Sequence, residues 1–315
     1  YIQYIEKDVF IENDIDLSRH LWSPIGYWLG NWEGNGYIIS NMHAKRKSGG
    51  YDSGFFSEFS GDTINNIGFI NSYVDGRADK SGTIAASISS STIINSYSIN
   101  CVIDGPSTFG GGLAGMAGNS HFINCFVIGN VYAGYGMGGL VGDCNACVLH
   151  NCYSSIQSSK YFNNSEIGIL RGLISAETRN TSATNCFVDI DYVKDTWSKY
   201  SIGKICTENT TEKVYFFGGE QENMHDYNLQ NIVGFTRNGD SFAHTVPDTA
   251  LNYQYQGSID LLTVLNQYVV EYNSPLLRTW VWDSLMKLPV LGSEYLEVTC
   301  PNVTNISASN IPFIY

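Results

Sequence analysis

Three groups of residues in this 315-residue chain have types and spacings that could do chemistry. Cys144-Asn145-Ala146-Cys147 is a Cys-x-x-Cys with His150 and Cys152 close behind, which is workable spacing for zinc, an ion bound by tetrahedral nitrogen and sulfur donors. Asp189 and Asp191, with Lys194 and Asp195 nearby, form a carboxylate cluster of the kind polysaccharide-cleaving enzymes use. The Asp-x-Asp pairs Asp14/Asp16 and Asp189/Asp191 could meet calcium, although two carboxylates fall short of the roughly six to eight oxygens that ion takes. The sequence holds no His-Glu-x-x-His, no Gly-x-Ser-x-Gly elbow and no Gly-x-x-x-x-Gly-Lys loop. Each group also has a plainer reading. His150 and Cys152 occupy a recurring step that holds Cys125 and Cys186, or Ile and Thr, elsewhere in the chain, and acidic surface turns account for Asp189 and Asp191. No catalytic residue, metal or cofactor is therefore expected.

Composition narrows the partners. Lys and Arg number 17 against 30 Asp and Glu, and the net charge of -13 repels nucleic-acid phosphates and anionic lipid headgroups. The basic run Lys45-Arg46-Lys47 beside Ser48-Gly49-Gly50 reads as an exposed loop tip. No stretch approaches the roughly 20 apolar residues of a membrane-spanning helix. A first residue of Tyr1 with no leader behind it suggests a processed chain or a piece of a longer one. Only 15% of residues are charged, yet there are 32 Gly, 29 Asn and 33 Ser, a bias that asks for a structural cause because 43% apolar residues argue against disorder.

That cause is a repeat. An apolar residue, then Asn, then Ser or Cys, then an aromatic recurs at Asn71-Ser72-Tyr73, Asn95-Ser96-Tyr97, Asn124-Cys125-Phe126, Asn151-Cys152-Tyr153 and Asn185-Cys186-Phe187. A Gly step precedes each, at Gly54, Gly82, Gly112, Gly139 and Gly172, with offsets to the Asn of 17, 13, 12, 12 and 13 residues. The segments between are short, rich in β-branched and aromatic residues and punctuated by Gly and Asn, so they read as brief strands joined by tight turns. One such unit cannot bury its own apolar face, but a stack of coils can. An all-β parallel β-helix, or solenoid, follows, with equivalent residues about 4.8 Å apart on adjacent coils. Asn suits the left-handed turn, and amides stacked on amides can donate one way and accept the other. Cys125, Cys152 and Cys186 should then form an inward column of thiols, since in-register parallel neighbours are poorly placed for a disulfide. A hairpin-built sandwich is the competing architecture, but only two of the Asn-Gly and Asp-Gly pairs it needs, at Asp75 and Asp104, fall within the repeats.

The element Gly138-Gly139-Leu140-Val141-Gly142 leading to Asn151-Cys152-Tyr153 resembles the GLUG-motif repeat of secreted and cell-surface proteins, among them adhesins and non-catalytic regions of surface peptidases. Residues 13–17, 22–26 and 33–41 are similar to the segment that opens such arrays, and Trp280-Val281-Trp282 with Leu288-Pro289-Val290-Leu291 to their ending. Ser72 and Ser96 depart from the Cys of the pattern, Gly82-Thr83-Ile84 lacks its Leu, and Arg171 replaces a Gly. The resemblance implies an extracellular, right-handed β-helix used for attachment or as a spacer.

The expected organisation is an opening cap over residues 1–50, repeats over 51–192, irregular rungs or a loop over 193–256, a C-terminal capping helix and return strand over 257–299, and a linker or tail over 300–315. The helix rests on Ser258 as N-cap, on Ile259, Leu262, Leu265, Tyr268, Val269 and Tyr272 at helical spacing, and on Pro275 as a stop; its expected task is to cover the last coil. Cys101, Cys144, Cys147, Cys206 and Cys300 are disulfide candidates if the compartment is oxidising, with pairing left open. Sequons at Asn163, Asn180, Asn209, Asn302 and Asn305 allow glycosylation in polar stretches. The function this supports is a secreted or surface structural and adhesive module that meets other proteins, glycans or copies of itself, including in a filament. A carbohydrate-active enzyme and a spacer within a larger surface peptidase stand beside it.

Overall fold

The structure, a computed structural model, describes residues 4–45, 52–75, 77, 79–104, 108–132, 136–157, 180–189, 210–217, 232–238, 241–244, 261–284 and 288–292. It is a parallel β-solenoid in which each coil visits three sheets. The first sheet stacks six strands, Tyr4–Ile5, Ile25–Trp28, Phe56–Phe59, Ala85–Ser89, Ala114–Gly118 and Val141–Asn145. In the second, a short strand such as Thr92–Ile94, His121–Ile123 or Val148–His150 turns at an Asn into a longer one, Tyr97–Asp104, Phe126–Tyr132 or Tyr153–Gln157. A third sheet of four strands, Asp52–Ser53, Lys80–Ser81, Phe109–Gly111 and Gly136–Gly138, leads back to the first. All of these pairings are parallel, in register as in Ala85 opposite Ala114 and Ala114 opposite Val141, except for one shift between Ile99 and Cys101 where Tyr97–Asp104 meets Phe126–Tyr132. The stack continues through Ser182–Asp189, Thr210–Phe217 and Ile232–Asn238, and Ser241–His244 then returns antiparallel.

The turns explain the Asn. Of the fourteen described non-glycine residues with positive φ, twelve are Asn, the side chain that best tolerates the left-handed region and can bond its surroundings there. Twelve of the fourteen fall in three columns along the stack, with Asn35 and Asn273 outside them. One holds Asn66, Asn95, Asn124, Asn151 and Asn185; a second Asn41, Asn71 and Asn100; a third Ser90, Asn119, Ala146 and Asn180. Asn71 thus stands apart from the four other Asn residues of the repeat. Strand register sets Gly68 opposite Tyr97, and Ile70 opposite Ile99, so Asn71 faces Asn100 and Tyr73 faces Val102. The spacing carried the signal, because Gly54 to Asn66 is 12 residues and Asn66 to Asn95 is 29, in step with later coils, whereas Gly54 to Asn71 is 17.

Each corner residue has a packing reason. Ile84, Leu113 and Leu140 follow the Gly step and are buried in the core with Phe55. The Gly itself lies where the next coil passes: a Cβ on Gly54 would sit 2.5 Å from Gly82 O, and one on Gly112 would sit 2.4 Å from Gly139 O. The N-terminal coils fill the same interior with rings, Trp32 lying edge-on to Phe55 and Phe56 at 5.4 and 5.1 Å.

Helix α1 (Leu261–Tyr272) buries Leu261, Val264, Leu265, Tyr268 and Val269 and ends at Asn273, a left-handed C-terminal residue followed by Pro275. Ser258 and Ile259 lie outside the described residues. A hairpin, Trp280–Asp283 with Leu288–Leu291, follows. The described contacts of this C-terminal unit run along the flank of the stack, against Ile70, Ile99, Phe126, Ile128, Tyr153 and Phe187, and α1 also meets Ser241–His244, the strand that ends the described stack. The flank presents a column of stacked aromatic rings, and covering it buries apolar surface.

Replacing Gly112 with Ala forces backbone apart and should cost about 2–4 kcal/mol in equilibrium denaturation. Gly118, whose added Cβ would meet nothing nearer than Asn145 O at 4.0 Å, should accept Ala with little change or a slight gain.

Candidate functional site

The flank is the most highly organised polar surface described. Asn95, Asn124, Asn151 and Asn185 each donate a side-chain N–H to the amide oxygen one coil earlier, at 3.2, 2.9, 2.8 and 2.8 Å, the first of these acceptors being Asn65. Asn65 in turn donates to Glu33 Oε2 at 2.7 Å, so the ladder ends in a carboxylate, the acceptor such a directed chain requires. Beside it, the rings of Tyr97, Phe126, Tyr153 and Phe187 stack within 5° of parallel at 4.8, 4.8 and 4.9 Å. Tyr73 is absent from this stack, and the Tyr97 ring closes over Gly68 in the coil before.

The C-terminal unit docks on both columns. Asn124 and Asn151 donate to the carbonyls of Leu276 and Arg278, Arg278 N–H donates to Asn124 Oδ1, and Trp280 Nε1 donates to Asn151 Oδ1 at 2.7 Å. Asn266 brackets Trp280, donating to its carbonyl and accepting from its N–H, while the indole leans on Tyr153 and Phe187. His150 lies within hydrogen-bond reach of Tyr268 Oη at 3.0 Å and edge-on to Tyr272. Arg278 extends furthest down the flank, to Asn66 Oδ1 at 3.3 Å.

Residues that follow the turns build the interior. Cys125, Cys152 and Cys186 stack fully buried, each thiol bonding the carbonyl two residues back and one from the preceding coil, as Cys152 does to His150 and Phe122 at 3.3 Å. Cys152 N–H and Cys125 N–H close the column by donating to the next sulfur at 3.4 Å. Cys147 plays this part where other coils have Ser91, Ser120 and Thr181, and Cys101 where the coil before has Ser72. Cys101, Cys144 and Cys147 are free, buried thiols here, Cys144 and Cys147 lying in hydrogen-bond contact with each other; Cys206 and Cys300 lie outside the described residues. Burial pushes the thiols of Cys101, Cys144 and Cys152 upward, away from reactive thiolate. His150 faces the helix while Cys147 and Cys152 face the core, and among the described residues no three His, Cys, Asp or Glu side chains could hold a metal ion.

A second polar patch, which sequence reasoning missed apart from Tyr73, spans three coils. Tyr73 donates to Asp104 Oδ2 at 2.8 Å and meets the His43 ring edge-on at 5.0 Å; Arg77 grips Asp75 through two side-chain bonds of 3.1 Å. Burial, then the bond to Asp104, raises the Tyr73 phenol well beyond its ordinary range, and burial lowers His43. Burial alone would raise Asp75, but Arg77 outweighs it and holds the carboxyl low. Neutral Tyr73 and His43 with a tethered guanidinium can bind a ligand through hydrogen bonds, yet no group there is poised as a nucleophile. No single sequence motif could have shown it, since its members come together only through coil register.

The remaining candidates take structural positions. Asp14 Oδ1 accepts from Ile38 N–H at 3.0 Å, and Asp16 accepts from Asn41 Nδ2 and from Ser18, so both carboxylates finish the first coil. Asp189 ends the strand Ser182–Asp189, and Asp191, Lys194 and Asp195 lie outside the described residues. Asn180 is exposed at a left-handed turn; Asn163, Asn209, Asn302 and Asn305 lie outside the described residues. No described helix is long and apolar enough to cross a membrane.

These features define a parallel β-solenoid with a C-terminal unit strapped to its flank. No family model and no curated protein matches the chain. Among solved structures it is similar to the crystal structure of a putative immunoglobulin A1 protease from Bacteroides ovatus, with a TM-score of 0.55 and 16% identity over 91% of this chain and 86% of that one. At that identity the likeness shows the fold alone.

With Cys206→Ser and Cys300→Ser in place, native protein should give no reaction with Ellman's reagent, and denatured protein should release six thiols. Asp16, held below its ordinary value by Asn41 first and then by Ser18, contributes stability that is complete above the usual carboxylate range and fades as pH falls through its depressed folded value. Asp16→Asn should flatten that part of the acid limb below about pH 4 in stability measured against pH.

Proposed function

We propose that this chain is a non-catalytic structural module of a secreted or cell-surface protein, serving as a spacer and attachment surface in the manner of GLUG-type repeats. The observation that carries the reading is the unbroken ladder from Glu33 to Asn185, in which the repeated amides bond one another along the stack and the C-terminal strap takes up the sideways bonds of Asn124 and Asn151. Fold likeness to the Bacteroides ovatus protein supports the spacer form, a β-solenoid region belonging to a surface peptidase. The patch of half-buried His43 and Tyr73 beside an exposed Arg77 favours a second reading, a carbohydrate-active site.

The two separate in one assay. The purified chain, incubated with a panel of neutral and acidic polysaccharides and with immunoglobulin A1, should leave every substrate intact by chromatography. Turnover that disappears in Tyr73→Phe or Arg77→Ala, with folding retained, would overturn the structural reading in favour of the enzyme.

A further inference from the structure

The flank ladder is only half occupied. A side-chain amide offers two donor hydrogens and two acceptor lone pairs. Asn124 uses all four: it donates to Asn95 Oδ1 and Leu276 O, and it accepts from Asn151 Nδ2 and Arg278 N–H. Asn151 is equally complete, donating to Asn124 and to Arg278 O while accepting from Asn185 Nδ2 and Trp280 Nε1. Along the stack each of these amides meets only its neighbours; its second donor and second lone pair go sideways to the strap. Asn95 and Asn65 keep the bonds along the stack, at 3.2 Å to each other and at 2.7 Å from Asn65 to Glu33, and have no sideways partner among the described residues. Asn95 stands in register with Asn124 and Asn151, so its open donor and acceptor belong to the same side that the strap reads, and Asn65, one residue before the turn and opposite Ile94, joins the ladder through its bond to Asn95.

We propose that Asn65 and Asn95 form the open half of a backbone-reading groove that takes an extended peptide segment of a partner protein, in the mode that Leu276–Trp280 already uses in cis. The occupied half defines the ligand. Its bonded groups are Leu276 O, Arg278 N–H and Arg278 O, main-chain atoms at alternate residues, joined by the Trp280 indole N–H, so the reading is chiefly of backbone with one aromatic donor. Apolar side chains add the remaining contact, Leu277 at 9% and Trp280 at 2% exposure, on the aromatic and isoleucine columns. Beside the open half, Ile38 and Tyr97 are partly buried members of the same cluster, so the surface continues from an interface already formed. Two residues of extended chain advance about 6.6 Å while adjacent coils are about 4.8 Å apart, so a segment must cross obliquely and can pair with about two amides before it leaves the column. Asn124 and Asn151 serve the strap, and Asn65 and Asn95 remain for a second segment. Among the described bonds the strap reaches this half through the Arg278 guanidinium, which donates to Asn66 Oδ1 and would be displaced by an incoming chain.

This inference rests on the adhesive part of the reading above, and its failure would leave the spacer part standing. The probe is a fluorescent, end-blocked peptide of residues 274–280, Ser-Pro-Leu-Leu-Arg-Thr-Trp, titrated with the full chain by anisotropy. Wild type should bind it saturably. Arg278→Ala, which keeps the strap's backbone bonds, should bind roughly three- to tenfold more tightly, and Asn65→Ala, at a strand position without left-handed geometry, at least about tenfold more weakly. Absence of binding by both wild type and Arg278→Ala overturns the proposal, as does binding that Asn65→Ala leaves unchanged, which would mean exchange with the cis strap. Self-association that Asn65→Ala abolishes, without peptide binding, assigns the groove to a second copy of the chain and also overturns it.

Discussion

In a parallel, in-register stack every side chain must tolerate its own counterpart one coil away, about 4.8 Å distant, and the rest of this structure follows from that condition. Charged side chains repel their like, which fits a chain with only 15% of them. Amides satisfy the condition best, since an amide can donate to one neighbour and accept from the next. Rings satisfy it by stacking, and Ser or Cys by sharing carbonyls between coils. Where the coil turns, the condition combines with left-handed backbone and selects Asn. Where one coil crosses another at close range, it selects Gly.

The acidic residues acquire a similar meaning. A ladder whose amides all donate toward the first coil needs an acceptor there that donates nothing, and Glu33 supplies it for one column while Asp16 receives Asn41 in another. Carboxylates that looked like candidate calcium ligands are better understood as terminators. The same logic separates the Tyr73 patch from the ladders: Leu21, His43, Tyr73, Val102 and Asn130 follow one another in a column where no two neighbours are alike, so it departs from self-stacking. Such departures are where a solenoid can acquire specific chemistry.

The solenoid, its Gly and Asn steps and the inward thiols were legible in sequence because each depends on local backbone geometry repeated at a period. Register was less so. Ile70-Asn71-Ser72-Tyr73 has the local form of the main repeat but belongs to a second turn, matched by Asn41 and Asn100, and only the constancy of the distance from Gly54 distinguishes the two. The periodicity of α1 identified a helix without saying what it covers, because amphipathic spacing reports a buried face and not the surface that buries it. The donor and acceptor match between Asn151 and Trp280, 129 residues away, leaves no trace in composition or spacing.

That match also bears on how the chain is made. The coils precede residues 261–292 in the chain and leave the ribosome before them, and this later unit bonds Asn66, Asn124, Asn151 and Asn185, which belong to separate coils. A slip of register in any of those coils would move an amide away from its waiting carbonyl or indole. This unit can therefore close only on coils wound in the right register, so its docking depends on the integrity of the coils that precede it in the chain.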